Sequence, residues 1–332
     1  MKLEENVSLT TLTTFHTGGV ARFVATCTSV EEIQEALQVA KEKNLSWYVL
    51  GEGSNVLPED KGYEGLIIRV VIPGMKVEDN LLVASAGVSW DEVVREAAKH
   101  NLWGIENLAG IPGLMGAAPI QNIGAYGTEV RDVLKEVQVL NAHTLEVETL
   151  ANADCEFSYR DSIFKRSPHL IVTEVTLKLS KEPSPNITYG DLLKAKEEGK
   201  DLSTPEAIGK VVREIRSHKF PDLREYGTAG SFFKNPILSQ KKYEELIAKY
   251  GSIPQFPNPN GIKIPLAFVL DKVLSLRGYN KGNAFLFGAQ PLVLVLSRNG
   301  RAEEVEQLAK EIEEKVFSAT EIRIEREVRT LK

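Results

Sequence analysis

Apolar residues recur along the chain with two periods, and the places where one gives way to the other outline its elements. Between residues 29 and 43, Ile33, Ala36, Leu37 and Ala40 fall on one stripe, and Ser29 with Glu32 has capping-box spacing, which predicts a surface helix. Trp47-Tyr48-Val49-Leu50 follows as a short strand and runs into Gly51-Glu52-Gly53-Ser54-Asn55, so these glycines occupy a ligand-loop position at a strand end. Strand patterns recur at 66–70 and 81–86. Ser89 and Glu92 then open a second capped helix carrying Val93, Val94, Ala97 and Ala98. Residues 137–150 predict a hairpin turning near Asn141-Ala142-His143-Thr144, and 170–179 alternates as a further strand.

Thr204 with Pro205 marks a third helix start, and Ile208, Val211, Val212 and Ile215 form its apolar stripe. The helix turns basic at Arg213, Arg216 and Lys219, which suits the negative end of its dipole. Gly, Pro and Asn then crowd residues 221–265 around one helix, which places a domain boundary near residue 218. A last helix spans 302–316, with Val305, Leu308, Ala309 and Ile312 on one stripe, and 319–328 reads as a strand. There Ile322, Ile324 and Val328 share one side, while Arg323, Glu325, Glu327 and Arg329 share the other. No internal repeat is present, and strands and helices mix throughout.

Composition narrows the class. A chain of 332 residues exceeds what one core usually serves, so two or three domains with a cleft are expected. No apolar run approaches the roughly 20 residues of a membrane span. The first seven residues carry two acids and lack a signal-peptide core, so the expected compartment is the cytoplasm. Cys27 and Cys155 lie far apart without metal-ligand spacing and are expected to be reduced, with no metal bound. A net charge of −6 argues against nucleic acid as a partner.

Candidate chemistry begins with residues 110–127, which hold five glycines among small residues with scarcely a charge. Such a stretch lets backbone approach a ligand and aims successive N–H groups at it, as pyrophosphate requires. With the 51–55 loop it points to a large phosphate-bearing cofactor, although a tight buried turn would use the same residues. Neither GxGxxG between strand and helix nor a P-loop occurs. Three polar segments remain: Tyr159-Arg160-Asp161-Ser162, Gly230-Ser231-Phe232-Phe233-Lys234-Asn235-Pro236, and the charged face holding Glu327. Ser231 lacks a GxSxG elbow, so acyl transfer is a poor reading of it.

Together with Thr14-Phe15, Gly18-Gly19 and Glu327-Val328-Arg329, these segments resemble, in order and across nearly the whole chain, the UDP-N-acetylenolpyruvoylglucosamine reductase (MurB) family. Thr188-Tyr189-Gly190-Asp191-Leu192 is similar to the substrate-loop tyrosine segment of its first subtype. The resemblance implies an α+β protein: an FAD-binding domain of the vanillyl-alcohol-oxidase (PCMH) type plus a smaller C-terminal α+β substrate-binding domain. It assigns 1–217 to FAD, as subdomains of about 1–70 and 71–217 completed by a C-terminal strand at 319–332, and 218–318 to substrate.

The implied cofactor is FAD, reduced by NADPH, and the implied substrate is UDP-N-acetylglucosamine enolpyruvate, with hydride passing from the flavin N5 to the enolpyruvyl methylene carbon. By motif position Ser231 would donate the proton, and Arg160 with Glu327 would stabilise the enolic intermediate. FAD would be held by Gly51, Gly53, Ser54, Asn55, Gly113, Gly116, Ala117, Gln121, Gly124, Ala125 and Tyr126. Tyr189, Lys219, Asn235, Arg277 and Gln290 would contact the UDP-sugar, Arg277 standing where lysine is more familiar. The chain departs from the family at Pro58-Glu59-Asp60, Phe256 and Phe287-Gly288. A monomer is expected. The rival readings are an oxidase or dehydrogenase of the same fold acting on an alcohol or hydroxy acid, and a non-catalytic binding protein.

Overall fold

Several helices in this protein begin where something nearby accepts from their unpaired N–H groups. In the computed structural model, which describes residues 1–332, Ser29 caps the Val30–Glu42 helix by accepting from the Glu32 N–H at 3.3 Å. Glu32 in turn accepts from the Thr28 N–H at 2.6 Å, one residue further out than a capping box requires. Thr204 accepts from the Ala207 N–H at 3.1 Å to open the Pro205–Lys219 helix. Ser89, expected to cap the Trp90–Lys99 helix, makes no such bond. It is bridged to Leu114 instead, and the Trp90 N–H donates to the Gly113 carbonyl at 2.9 Å, so the glycine-rich loop serves that helix start.

The chain forms two compact units, the first comprising Met1–Val7, Ala21–Glu52 and Glu64–Ser217. One of its sheets has the order Lys2–Ser8, Val20–Cys27, Tyr63–Val70, Trp47–Leu50, the last pair parallel. Ile33, Ala36, Leu37 and Ala40 of the Val30–Glu42 helix are buried with Phe23, Leu66 and Ile68 in a core of their own. A five-stranded antiparallel sheet has the order Val147–Ala151, Leu134–Asn141, Leu170–Lys178, Leu81–Ser85, Met75–Glu78. The predicted hairpin is its edge, with Val137 opposite Leu150. Val172, Val175 and Leu177 pack with Val93, Val94, Ile208 and Val212 in a second core.

The second unit comprises Ser8–Val20, Gly53–Tyr63 and His218–Lys332. Its largest sheet is antiparallel, in the order Tyr226–Gly227, Leu294–Ser297, Ala284–Leu286, Asn280–Lys281. Val305, Leu308, Ala309, Ile312 and Val316 of the Ala302–Thr320 helix share one buried cluster with Leu294, Leu296 and Phe232. The strand expected at 319–328 is not formed. The helix continues to Thr320 and stops at Glu321 with φ 57°, and the strand is Arg329–Leu331, parallel to Val56–Pro58. Alternating burial of Ile322 and Val328 produced the strand-like pattern. This last strand and Val56–Pro58 lie in the second unit.

No helix is long and apolar enough to cross a membrane, and no cluster of His, Cys, Asp or Glu could hold a metal ion. Cys27 and Cys155 are buried, which pushes both thiols up to about 12 and leaves them protonated.

Glu106 is a carboxylate that burial works against. It is 3% exposed and accepts from the Gly104 N–H at 2.7 Å, and burial raises its pKa despite that bond. A carboxyl with a raised folded pKa contributes most at low pH, and this contribution falls as pH rises from the unfolded value through the folded one. Glu106→Gln keeps the acceptor and removes the charge. Its urea midpoint is expected to exceed the parent's at pH 8, with the gap closing by pH 4; a gap independent of pH would show that burial of charge is not the cause.

Candidate active site

In the first unit the glycine-rich loop is laid down by its own backbone. Met115 and Gly116 donate to the carbonyls of Val88 and Ala86 at 2.7 and 2.9 Å, and a short 3-10 turn covers Met115–Ala117. Gly116 has to be glycine there, because a Cβ would stand 2.7 Å from the Ala86 Cβ. Gly124-Ala125 pairs with Thr128-Glu129 as a small ladder. Buried Asn122 holds the bend between these halves. Its amide donates to Glu129 at 2.8 Å and to the Ser158 carbonyl at 3.1 Å, and its oxygen accepts from the Arg131 N–H. Gly51 faces Leu114 at ordinary contact distance, and Ala117 and Gln121 lie at the loop surface.

Arg160 docks on this loop. Its Nη2 donates to the Gly124 carbonyl at 2.5 Å, its φ is 55°, and its guanidinium lies 5.4 Å from the Tyr159 ring centre. Non-glycine residues rarely hold such a φ without a compensating contact. The contacts here are the Ser158–Asp161 bridge and Ser162, whose hydroxyl is fully buried and donates to the Ile120 carbonyl at 2.6 Å.

Tyr189 meets the same loop edge-on, its ring 5.4 Å from that of Tyr126. Burial pushes Tyr126 up to about 12 and raises Tyr189 as well, so both phenols stay protonated as donors. No sequence pattern marks the residue that ties these segments together: Asn107, 1% exposed, donates to the carbonyls of both Tyr126 and Asn186, at 2.9 and 2.7 Å. Its partners lie too far along the chain for any local pattern to reveal them.

In the second unit the geometry gathers around Phe232. The Glu327 N–H donates to the Phe232 carbonyl at 2.8 Å, which sets Glu327 beside the segment holding Ser231. Ser231 is bridged to Val293, and the Phe232 N–H donates to the Leu292 carbonyl, so the turn containing Gln290 joins them. Asn55 reaches the Glu327 carbonyl through its amide at 3.3 Å, giving it a structural contact besides its expected cofactor role.

Gly53 has φ 63°, and a Cβ on it would stand 2.4 Å from the Leu12 carbonyl. Thr14 explains the first motif in the chain: it donates through Oγ1 to the Thr228 carbonyl at 2.6 Å and through N–H to the Gly53 carbonyl at 3.3 Å. Asn235 accepts from the Leu266 N–H at 2.9 Å. Arg277 is paired with Asp271 through two bonds and donates to the Gly288 carbonyl. Lys219 closes the Pro205–Lys219 helix, Ser54 is half-buried, and Phe256 is exposed on a hairpin.

Residues 21–149 match a family profile described as an FAD binding domain, and residues 222–331 match one described as UDP-N-acetylenolpyruvoylglucosamine reductase, C-terminal domain. The UDP-N-acetylenolpyruvoylglucosamine reductase of Polynucleobacter asymbioticus is 38% identical over 322 residues, covering 95% of this chain and 92% of the relative. That of Vibrio parahaemolyticus is 37% identical over 335 residues, covering 99% and 95%. The crystal structure of UDP-N-acetylenolpyruvylglucosamine reductase from Thermus caldophilus aligns over 100% of both chains with a TM-score of 0.72 and 25% identity. The α+β class and FAD, both expected from the sequence, stand with these findings.

Gly116→Ala would push the loop off the Ala86 carbonyl. Overpacking of this kind costs about 1–3 kcal/mol, and roughly 1.4 kcal/mol is tenfold in affinity. FAD titrated into stripped protein and followed by fluorescence quenching is therefore expected to bind roughly five- to a hundredfold more weakly. Unchanged affinity would detach this loop from the cofactor.

Proposed function

The chain belongs to the UDP-N-acetylenolpyruvoylglucosamine reductase family, and from that premise we propose that Ser231, Arg160 and Glu327 carry the chemistry of an FAD-dependent, NADPH-consuming reductase. The reaction reduces the enolpyruvyl ether of UDP-N-acetylglucosamine, giving UDP-N-acetylmuramate for peptidoglycan. FAD, when bound, supplies hydride transfer between NADPH and the enolpyruvyl group. Gly51, Gly53, Ser54, Asn55, Gly113, Gly116, Ala117, Gln121, Gly124, Ala125 and Tyr126 would hold it, the small residues and the glycine turns at 53 and 113 suiting close backbone approach.

What the chain's own residues do follows from where charge appears. Hydride arriving at the methylene carbon leaves the neighbouring carbon, beside the carboxylate, rich in electrons. The charge spreads into the carboxylate as an enediolate. The Arg160 guanidinium, oriented by the Gly124 carbonyl, stabilises that charge as it develops. Glu327 helps to hold the carboxylate in the form that polarises toward the enediolate. Ser231 Oγ–H gives its proton to the basic carbon. An alcohol is a weak acid, so this transfer needs a strongly basic acceptor and fixed geometry. The observation that carries the reading is the 2.8 Å bond from the Glu327 N–H to the carbonyl of Phe232, which ties proton donor and carboxylate to one piece of backbone.

Tyr189, Lys219, Asn235, Arg277 and Gln290 are proposed to contact the UDP-sugar, Arg277 taking the diphosphate with its fork of donors. An oxidase acting on an alcohol has no use for a proton donor facing a carbanion, and the family assignment does not favour it. The proposed compartment is the cytoplasm and the proposed working form is a single chain.

Ser231→Ala is expected to leave anaerobic bleaching of the flavin by NADPH near normal while slowing reoxidation by the enolpyruvyl substrate by roughly a hundredfold or more, since only the second half-reaction consumes the proton. Stopped-flow absorbance near the flavin band separates the two. Equal reoxidation rates for variant and parent would remove Ser231 from the mechanism.

A further inference from the structure

Arg326 is the charged residue on the half-buried side of the 322–328 segment. By a period of two it falls with Ile322, Ile324 and Val328, and its side chain is 23% exposed. A cation placed among apolar neighbours needs carboxylates within reach. Two are supplied by the Ala302–Thr320 helix. Arg326 Nε and Nη2 donate to the two oxygens of Glu313 at 2.6 and 3.3 Å, and Nη1 donates to Glu306 Oε2 at 2.5 Å.

Seven residues separate Glu306 from Glu313, which puts them on one helix face about two turns apart. A planar fork reaches both at once; an ammonium point charge does not. The guanidinium also lies over the Phe232 ring, 5.8 Å from its centre. Arg326 is bridged to Phe233 through the backbone, and Lys234 donates to Glu325 from both N–H and Nζ, at 2.9 Å each. Arg326 therefore touches the residue after Ser231 and directly precedes Glu327.

We propose that Arg326 is a positioning residue for the Ser231–Glu327 pair. Its contacts to Glu306 and Glu313 fix the 325–328 backbone against the long helix, and its contact with Phe232 fixes the ring beside Ser231, so one side chain sets the spacing of proton donor and carboxylate. The proposal rests on the reading of Ser231 and Glu327 given above. Misplacement by about 1 Å can cost roughly a hundredfold in rate.

The test uses the flavin-loaded full-length protein in separated half-reactions. Arg326→Met is expected to slow reoxidation by the enolpyruvyl substrate roughly ten- to a hundredfold, to enlarge the solvent deuterium isotope effect on that step, and to leave reduction by NADPH unchanged. Arg326→Lys is expected to recover part of the rate. The triple variant Glu306→Gln, Glu313→Gln, Arg326→Met leaves no stranded carboxylate; it is expected to regain the parent's unfolding midpoint without regaining the reoxidation rate. Reoxidation at the parent's rate in the triple variant, or equal slowing of both half-reactions in it, overturns the proposal. Ser231→Ala and Glu327→Gln are run beside these. If they are slow and the Arg326 variants are not, only the positioning role fails; if they too reoxidise normally, the assignment of the site fails and takes this inference with it.

Discussion

The second unit depends on a single carbonyl that serves two donors far along the chain. Phe232 O accepts from the Glu327 N–H at 2.8 Å and sits 3.4 Å from the Val328 N–H, while the Phe232 N–H is spent on the Leu292 carbonyl. The residue is thus a junction of three chain segments, and its ring and that of Phe233 are each 1% exposed and packed edge-to-face at 5.2 Å. Full burial of such a ring is worth about 1.5–3 kcal/mol, and the edge-to-face pair about 0.5–1.5 kcal/mol beyond it. Backbone so fixed holds the Ser231 and Glu327 positions next to one another.

The first unit solves a related problem with amides. A loop of glycine and alanine has few side chains to hold it, so its conformation has to come from neighbours. Asn122 and Asn107 provide this: each is almost fully buried, and each spreads its amide over two acceptors from separate segments. Positive φ at Asn122 and Tyr126 shows that the turns are bent beyond what the residues prefer, and the bonds to Asn107 and Asn122 hold them there. A rigid cradle follows from buried polar groups around a featureless loop.

How much of this was legible in the sequence depended on the range of the interaction involved. Ile33, Ala36, Leu37 and Ala40 announced their helix because one stripe buried in one core repeats locally, and Thr204-Pro205 announced another for the same reason. The Ser89 cap failed because the carbonyl that meets the helix start belongs to Gly113, 24 positions away in the chain but adjacent in space. The segment 319–328 misleads differently: burial alternates there, but the Ile322 N–H donates to the Thr320 hydroxyl and the Glu327 and Val328 N–H groups converge on the one carbonyl of Phe232, so period two appears without a ladder. Arg326 is hidden in the sequence for the same reason, since an isolated charge on an apolar side carries meaning only through its partners on the Ala302–Thr320 helix.

Arg277 shows how the choice of residue decides what a position can hold at once. Its Nε and Nη2 hold Asp271 at 2.9 and 2.7 Å, and its Nη1 donates to the Gly288 carbonyl at 2.8 Å. Asp271 is pulled down to about 2, chiefly by the bond from Arg277, so the pair stays charged at any pH where the protein works. A lysine holding the same carboxylate and carbonyl would have committed most of its three donors, and its single nitrogen would sit at one point. A guanidinium has five donors in a plane, and the three bonds seen here use one edge and one corner. Arginine therefore holds the Asp271 carboxylate edge-on and the Gly288 carbonyl at the same time, where a lysine would have to serve both from one nitrogen.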